Sequence, residues 1–177
     1  MREMAHRTPA FYIRPGRPEE APALARLHVD VWRQTYRDLA PPEAHDALGV
    51  DRRLPYWEAA LRSDGPMTTV LVAVTETEIA GVVSMGPPRD PALGDGAEIK
   101  HLYIGTAIQR SGLGRALMQA AFDHLREINV AAASLAVVEG NENALRFYRQ
   151  LGGREAGRFT DAGPLWKSAN IVMRWSL

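Results

Sequence analysis

Residues 98–126 read EIKHLYIGTAIQRSGLGRALMQAAFDHLR, and this stretch decides the fold. Its first part, 98–104, is a strand-like run. Its last part, 113–126, places Leu113, Leu117 and Leu125 on one face of a helix. A strand, a glycine-containing turn and a helix start leave several backbone N–H groups unpaired at the positive end of the helix dipole. The stretch therefore predicts a binding site for an anion such as a pyrophosphate.

The turn has residues that suit a phosphate group. Gly112 and Gly114 lack a Cβ and let a ligand approach the main chain closely, while Arg110 and Arg115 add positive charge and donors. From the turn alone, phosphate binding and a purely structural glycine turn both stay open, because short motifs carry false positives. A nucleotide-binding protein is disfavoured because the chain has no G-x-x-x-x-G-K-[ST] motif and Leu117 replaces the third Rossmann glycine.

The whole pattern predicts one mixed α/β domain over residues 11–177, preceded by a flexible segment, 1–10. Helices are predicted at 18–39, 42–48, 52–62, 113–126 and 141–151. Strands are predicted at 12–14, 68–74, 79–85, 98–104, 134–138, 154–159 and 171–177. The second and third strands form a hairpin. The strands at 98–104 and 134–138 flank a helix, so they should be parallel with a right-handed crossover.

Composition excludes several classes of protein. The chain has 177 residues, 21 basic and 21 acidic side chains and no cysteine, which excludes disulfides, thiolate metal sites and a cysteine nucleophile. Balanced charge predicts no nucleic-acid partner and no anionic membrane partner. No apolar run approaches the roughly 20 residues of a spanning helix, and the first residues lack the apolar core of a signal peptide. A cytoplasmic protein is expected, and the closing strand offers an edge through which a homodimer could form.

Three segments in register resemble the GNAT superfamily of acyl-CoA-dependent N-acyltransferases. The segment QRSGLG at 109–114 fits the signature Q/R-x-x-G-x-G/A. Residues 141–152, with Asn141, Ala144, Phe147 and Tyr148, resemble the second signature, and 102–104 looks like the strand that contacts acyl-CoA. The similarity extends from about residue 12 to the end of the chain. One departure is Gly153, which stands where the family usually has an aromatic residue.

The resemblance implies a GNAT fold of the α/β (α+β) class. The expected core is a mixed, mostly antiparallel twisted sheet of about seven strands, with a parallel splayed βαβ pair and flanking helices. It also implies acetyl-CoA as acyl donor, bound where the two parallel strands separate, and no metal. The implied cofactor-binding residues are Leu102, Tyr103, Ile104, Gln109, Arg110, Ser111, Gly112, Leu113, Gly114, Arg115, Asn141, Ala144 and Phe147.

Two side chains are candidates for acid–base chemistry. Tyr148 occupies the position of the family's usual general acid, and a phenol with a pKa of about 10 stays protonated at neutral pH. A core aromatic residue is the alternative. Glu98 is the candidate base, acting through ordered water, and a solvent-facing carboxylate paired with Lys100 is the alternative. His101 is a rival base, although strand alternation places it opposite Glu98 unless the strand contains a bulge.

Two groups of side chains are expected to be structural. His6, His28, His45 and His124 show no metal-ligand spacing and are expected at the surface or its boundary. The aromatic residues Trp32, Tyr36 and Trp57 on the early helices are expected to pack in the core, with lining of an acceptor pocket as the alternative.

The function that the resemblance implies is N-acetylation of a primary amine on a small molecule or peptide. The amine would attack acetyl-CoA directly in a ternary complex. A non-catalytic acyl-CoA sensor or interaction module of the same fold is the alternative. Neutral charge weakly disfavours polycationic acceptors, although local acidic groups such as Glu43 and Asp46 could serve them. The identity of the amine stays open.

Overall fold

The computed structural model describes residues 10–177, which form one seven-stranded sheet with helices on both faces. The segment 1–10, predicted to be flexible, lies outside the described residues apart from Ala10, and so does His6. The strands are β1 Tyr12–Pro15, β2 Thr69–Val74, β3 Ile79–Gly86, β4 Ala97–Ile104, β5 Ala132–Val138, β6 Arg154–Thr160 and β7 Ala169–Ser176. The helices are α1 Ala21–Thr35, α2 Pro42–Ala47, α3 Val50–Arg62, α4 Leu113–Glu127 and α5 Glu142–Gln150.

The sheet has the strand order β1-β2-β3-β4-β5-β7-β6. Within residues 10–177, β4 and β5 are the one parallel pair, and every other neighbouring pair is antiparallel. The parallel pairing covers only Ala97 with Ala133 and Glu98 with Ser134, after which the strands separate. The predicted fold class, including the splayed parallel pair and the β2–β3 hairpin, is confirmed.

The two faces of the sheet carry separate cores because strand side chains alternate between faces. On one face, Leu113, Leu117 and Leu125 of α4 pack against apolar residues of the central strands. On the other face, Leu24 of α1 and Trp57 of α3 pack in a second cluster. No helix in residues 10–177 combines the length and the apolar character that crossing a membrane requires.

The first helix is shorter than its sequence pattern predicts. Residues Pro18–Glu20 form a 3-10 turn, and α1 ends at Thr35 instead of continuing to Leu39. The C-cap residue Tyr36 has φ of −102° and ψ of 18°, which depart from helical geometry. The helix therefore ends before the proline pair, and the Tyr36 carbonyl contacts the His45 ring nitrogen at 2.9 Å.

A bulge in β4 overturns the predicted orientation of His101. In the pairing with β3, Ser84 faces His101 and Met85 faces Ile99, so Lys100 is an extra residue. Ile99 and Leu102 both belong to the core beneath α4, and the two residues between them therefore face the other side. Lys100 bonds to Glu98 there. His101 consequently lies on the same face as Glu98 and not on the opposite one.

The space beside Gly153 is filled by an aromatic residue from β7. A Cβ added to Gly153 would lie 2.6 Å from the ring of Trp175 and 2.9 Å from the carbonyl oxygen of Tyr148. The Trp175 ring donates from Nε1 to the carbonyl of Leu151 at 3.1 Å. The chain thus places its aromatic side chain on β7, and this ring supports the end of α5.

We expect Gly153→Ala to lower the free energy of unfolding by about 1–3 kcal/mol, because a methyl group overlaps Trp175 and the Tyr148 carbonyl. Denaturant unfolding followed by tryptophan fluorescence measures the loss. The matched control is Gly157→Ala in β6, where the nearest atom lies 3.9 Å from the added Cβ. Equal stability of the two variants would show that a methyl group at residue 153 does not disturb the packing of Trp175.

Candidate functional site

A large cleft opens where β4 and β5 separate. Its volume is about 690 Å³, within the range of sites that hold cofactors or substrates. The cleft is lined by all the predicted cofactor residues except Ser111 and Leu113, and by Tyr148. The side chain of Leu113 instead lies in the core, 1% exposed, so only its backbone can face a ligand. The structure therefore brings together residues that were identified from three separate sequence segments.

The turn before α4 has the backbone geometry of an anion site. Arg110 and Gly112 have φ of 62° and 86°, and a Cβ added to Gly112 would meet no atom within 4 Å. Gly112 is the N-cap of α4, so the first N–H groups of the helix have no carbonyl partner within it. The hydroxyl of Ser111 is buried and has no hydrogen-bond partner in the described part of the chain. The free N–H groups at the start of α4, with Arg110 and Arg115 lining the cleft beside them, fit a phosphate.

The main chain of β4 presents hydrogen-bonding groups to the cleft. Gly105 donates its N–H to Ala80 at 2.8 Å, which fixes the alternation of the β3–β4 ladder. By that alternation Tyr103 bonds toward β3, while the N–H and C=O groups of Leu102 and Ile104 face β5. Because β5 has already moved away, these groups are open to an extended ligand, apart from one contact. The amide of Gln109 donates to the Ile104 carbonyl at 3.2 Å.

Helix α5 forms the opposite wall. Asn141 accepts from the N–H of Ala144 at 3.3 Å and caps the helix, as the sequence predicts. A Cβ on Gly114 would lie 3.4 Å from the ring of Phe147, so glycine lets α4 and α5 approach closely here. Burial raises the pKa of Tyr148 above its ordinary value, and the neighbouring Tyr36 adds to the effect. The Tyr148 phenol is therefore a proton donor throughout the neutral range.

A small cavity of about 250 Å³ adjoins the large cleft. Tyr36, Tyr103 and Ala136 line both spaces and mark their junction. The structure divides the predicted aromatic group: Trp32 and Tyr36 line the small cavity, whereas Trp57 is fully buried in the core. The loop after β6 closes the cavity with residues that include Asp161, Gly163, Leu165 and Trp166.

The small cavity is electropositive within the described part of the chain. Three cations, Arg53, Arg89 and Lys100, line it. Two carboxylates balance them in part: Asp161 lies 3.4 Å from Arg89, and Glu98 lies 3.2 Å from Lys100. With neutral imidazoles, the group carries one net positive charge.

Glu98 is buried beside this cavity instead of facing solvent. Its side chain is 1% exposed and accepts from the backbone N–H of Arg89 at 2.9 Å and from Lys100 Nζ at 3.2 Å. The guanidinium of Arg89 lies 3.5 Å from its other oxygen. Glu98 does not line the cavity itself. Its carboxylate contacts two cations, Arg89 and Lys100, that do line it.

His28 is a functional-site residue that the sequence pattern missed. It was expected at the surface or its boundary, but it is 1% exposed and lies between α1, α3 and β4. The signal was its spacing, because His28 follows Leu24 by four residues on the inward face of α1. Burial, reinforced by the charge of Arg53, lowers the pKa of His28 to about 3. Its imidazole is neutral.

A directed chain of hydrogen bonds links Trp57, His28, Tyr103 and His101. An indole N–H can only donate, so Trp57 Nε1 donates to His28 Nδ1 at 3.2 Å. The remaining hydrogen of His28 lies on Nε2, which donates to the Tyr103 hydroxyl at 3.2 Å. Tyr103 can then donate to His101 Nδ1 at 3.3 Å.

The same chain defines the chemistry of His101. Burial is the main cause that lowers its pKa well below the ordinary value, followed by the neighbouring His28 and the charge of Arg53. Since its Nδ1 accepts from Tyr103, the neutral ring carries its hydrogen on Nε2. His101 therefore offers the small cavity a donor, and its lone pair is already in use. This arrangement disfavours His101 as the base.

We expect His28 and His101 to stay neutral, with hydrogen on Nε2, from about pH 8 down to about pH 5. Their folded pKa values lie below the unfolded value of about 6.5, so protonation favours the unfolded chain. The free energy of unfolding should therefore keep its full value above about pH 6.5 and decrease as the pH falls below it. Nitrogen-15 NMR of the imidazoles reports both tautomer and charge. A ring that titrates near its ordinary pKa would contradict the chain of hydrogen bonds.

Residues 10–177 contain no cluster of three or more histidine, aspartate and glutamate side chains that could hold a metal ion.

Comparison with known proteins agrees with this geometry. The sequence model described as the Acetyltransferase (GNAT) family matches residues 24–153. An uncharacterized N-acetyltransferase of Bacillus subtilis, YuaI, is 29% identical over 138 residues, which cover 77% of this chain and 76% of that protein. The family match over residues 24–153 includes both the turn before α4 and helix α5.

Solved structures of the same fold align over almost the whole chain. The PaiA N-acetyltransferase of Thermoplasma acidophilum, in complex with coenzyme A, superposes with a TM-score of 0.74 and 16% identity. That alignment covers 95% of this chain and 99% of the other. YncA of Salmonella typhimurium, a putative acetyltransferase with acetyl-CoA, gives a TM-score of 0.70 at 19% identity and covers 94% of each chain. At these identities the likeness establishes the fold.

Proposed function

Because this chain belongs to the acetyltransferase (GNAT) family, we propose that it transfers an acetyl group from acetyl-CoA to a primary amine. The observation that carries the proposal is the junction of two spaces beside one phenol. The large cleft, which contains Tyr148, meets the small cavity at Tyr36, Tyr103 and Ala136. A donor held in the large cleft and an acceptor held in the small cavity would meet there in a ternary complex.

The turn at 109–115 is the proposed site of the pyrophosphate of coenzyme A. The free N–H groups at the start of α4 supply donors, and Arg110 and Arg115 line the cleft beside them. The structures of PaiA with coenzyme A and of YncA with acetyl-CoA support a ligand of this type.

The open edge of β4 is the proposed site of the pantetheine arm. An extended chain with two amide groups can pair with the main chain of Leu102 and Ile104 as an additional strand does. Such pairing would bring the thioester toward the junction. A backbone N–H near Ile104 would then polarise the thioester carbonyl, as a donor aimed at developing negative charge does.

Tyr148 is the proposed general acid. The amine nitrogen attacks the thioester carbon, the C–S bond breaks, and the phenol of Tyr148 donates its proton to the departing thiolate. Burial keeps the Tyr148 pKa above its ordinary value, so the phenol holds a proton to deliver at neutral pH. Phe147 and Ala144 line the cleft with apolar surface beside Tyr148.

The cations of the small cavity help to supply a neutral amine. A primary ammonium has an ordinary pKa of about 10, and nearby positive charge lowers the pKa of a bound ammonium. We assign Glu98 an indirect part in this step. The Glu98 carboxylate holds Arg89 and Lys100 at the cavity. The amine proton leaves through water toward this carboxylate.

The experiment that tests the proposal is Tyr148→Phe, assayed by thiol release from acetyl-CoA across a panel of amines. We expect kcat to fall about 100-fold, because the thiolate loses its proton donor. Calorimetry should find acetyl-CoA affinity within about two-fold of the native value, since the ring remains. Tyr12→Phe is the matched control, because Tyr12 is an exposed tyrosine, 58% accessible, away from the cleft.

The outcomes separate three cases. Full turnover by Tyr148→Phe would remove Tyr148 from the mechanism. Binding of acetyl-CoA with no turnover of any amine would favour the non-catalytic sensor of the same fold. Failure of the native protein to bind acetyl-CoA would end the proposal.

A further inference from the structure

Arg53 differs from the other cations of the small cavity. Arg89 and Lys100 both form an ion pair with Glu98, and Arg89 also forms one with Asp161. Arg53 takes part in none of the ion pairs found among residues 10–177. Its Nε atom is buried and has no hydrogen-bond partner in that part of the chain.

An unpaired guanidinium in this position is costly for the fold. Burial lowers the pKa of Arg53, yet an arginine has so high an ordinary pKa that it stays charged. A half-buried charge whose Nε has no partner loses part of its hydration, and groups of this kind concentrate at binding sites. The positive charge of Arg53 also lowers the pKa of both His28 and His101, which places it near the inner wall of the cavity.

The cavity has the size and the charge for a small anionic group. Its volume of about 250 Å³ is that of about eight water molecules at roughly 30 Å³ each, which suits a molecule of amino-acid size. The net positive charge of the lining repels a second ammonium group and attracts an acid. A guanidinium is also the side chain whose planar fork binds a carboxylate or a phosphonate through two parallel hydrogen bonds.

Building on the proposed acetyl transfer, we infer that the acceptor is a small amine with an anionic group, a carboxylate or a phosphonate, that Arg53 binds. The amine of such a molecule lies toward the junction at Tyr103, and its remaining part packs against Trp32 and Trp166. The guanidinium of Arg53, which has no ion-pair partner among residues 10–177, gains one in the complex. Specificity follows, because a neutral acceptor leaves the guanidinium unpaired.

The test uses pairs of acceptors that differ only in the acid. L-phenylalanine is compared with L-phenylalaninamide and L-methionine with L-methioninamide, while 1-aminoethylphosphonate against L-alanine distinguishes phosphonate from carboxylate. Each is assayed with the native protein, with Arg53→Met and with Arg52→Met, the matched control at an exposed neighbour on α3. Comparing acid-to-amide ratios of kcat/KM between variants cancels the intrinsic difference between the amines.

We expect the native protein to prefer an anionic acceptor, and Arg53→Met to lower the ratio of kcat/KM at least ~10-fold, the worth of hydrogen bonds to a charged group. Arg52→Met should keep the native ratio. Because the substitution removes a half-buried charge whose Nε has no partner, the melting temperature of Arg53→Met should be kept or raised. Acetyl-CoA affinity should not change.

Each contrary result has one meaning. Turnover of neutral amines in preference to anionic ones would overturn the inference and leave acetyl transfer intact. A preference for anionic amines that Arg53→Met does not reduce would remove Arg53 as the anion-binding residue. An absence of turnover with every amine would count against acetyl transfer itself, and with it against this substrate class.

Discussion

The separation of β4 from β5 is the constraint on which the rest of the structure depends. Two parallel residue pairs hold the strands together at one end, and beyond them neither strand can bond to the other. The bulge at Lys100 follows closely after the last parallel pair and increases the local twist of β4. Backbone polar groups without partners are tolerated in a fold only where a ligand or water can satisfy them. The backbone groups along the gap therefore need water or a ligand as partners.

The positions of the elements around the gap are related to the point at which β4 and β5 stop pairing. Helix α4 must begin beside the end of β4, so its free N–H groups face the open cleft. Helix α5 follows β5 and supplies the opposite wall with Tyr148. On the other face, the bulge brings Lys100 and His101 into the small cavity together. Strand β4 thus contributes residues to both the large cleft and the small cavity.

The fold and the residues of the large cleft could be predicted from the sequence, because patterns among neighbouring residues determine them. The glycine turn, the cap at Asn141 and the alternation of strands are read from neighbouring residues. The small cavity could not be predicted in this way. It depends on a bulge at Lys100 and on Arg53, whose Nε lacks a hydrogen-bond partner among residues 10–177, and this is visible only when α3 is packed beside β4. Side chains that meet across distant segments leave no periodic signal.

The most direct test of the central claim is a crystal structure of the protein grown with excess acetyl-CoA. The account predicts the pantetheine arm between β4 and β5, with its amides bonded to the main chain of Leu102 and Ile104. The thioester sulfur should lie about 3–3.5 Å from the Tyr148 hydroxyl, a distance that permits proton transfer. A gap closed by further β4–β5 hydrogen bonds, or a ligand bound elsewhere while the gap stays empty, would contradict the account.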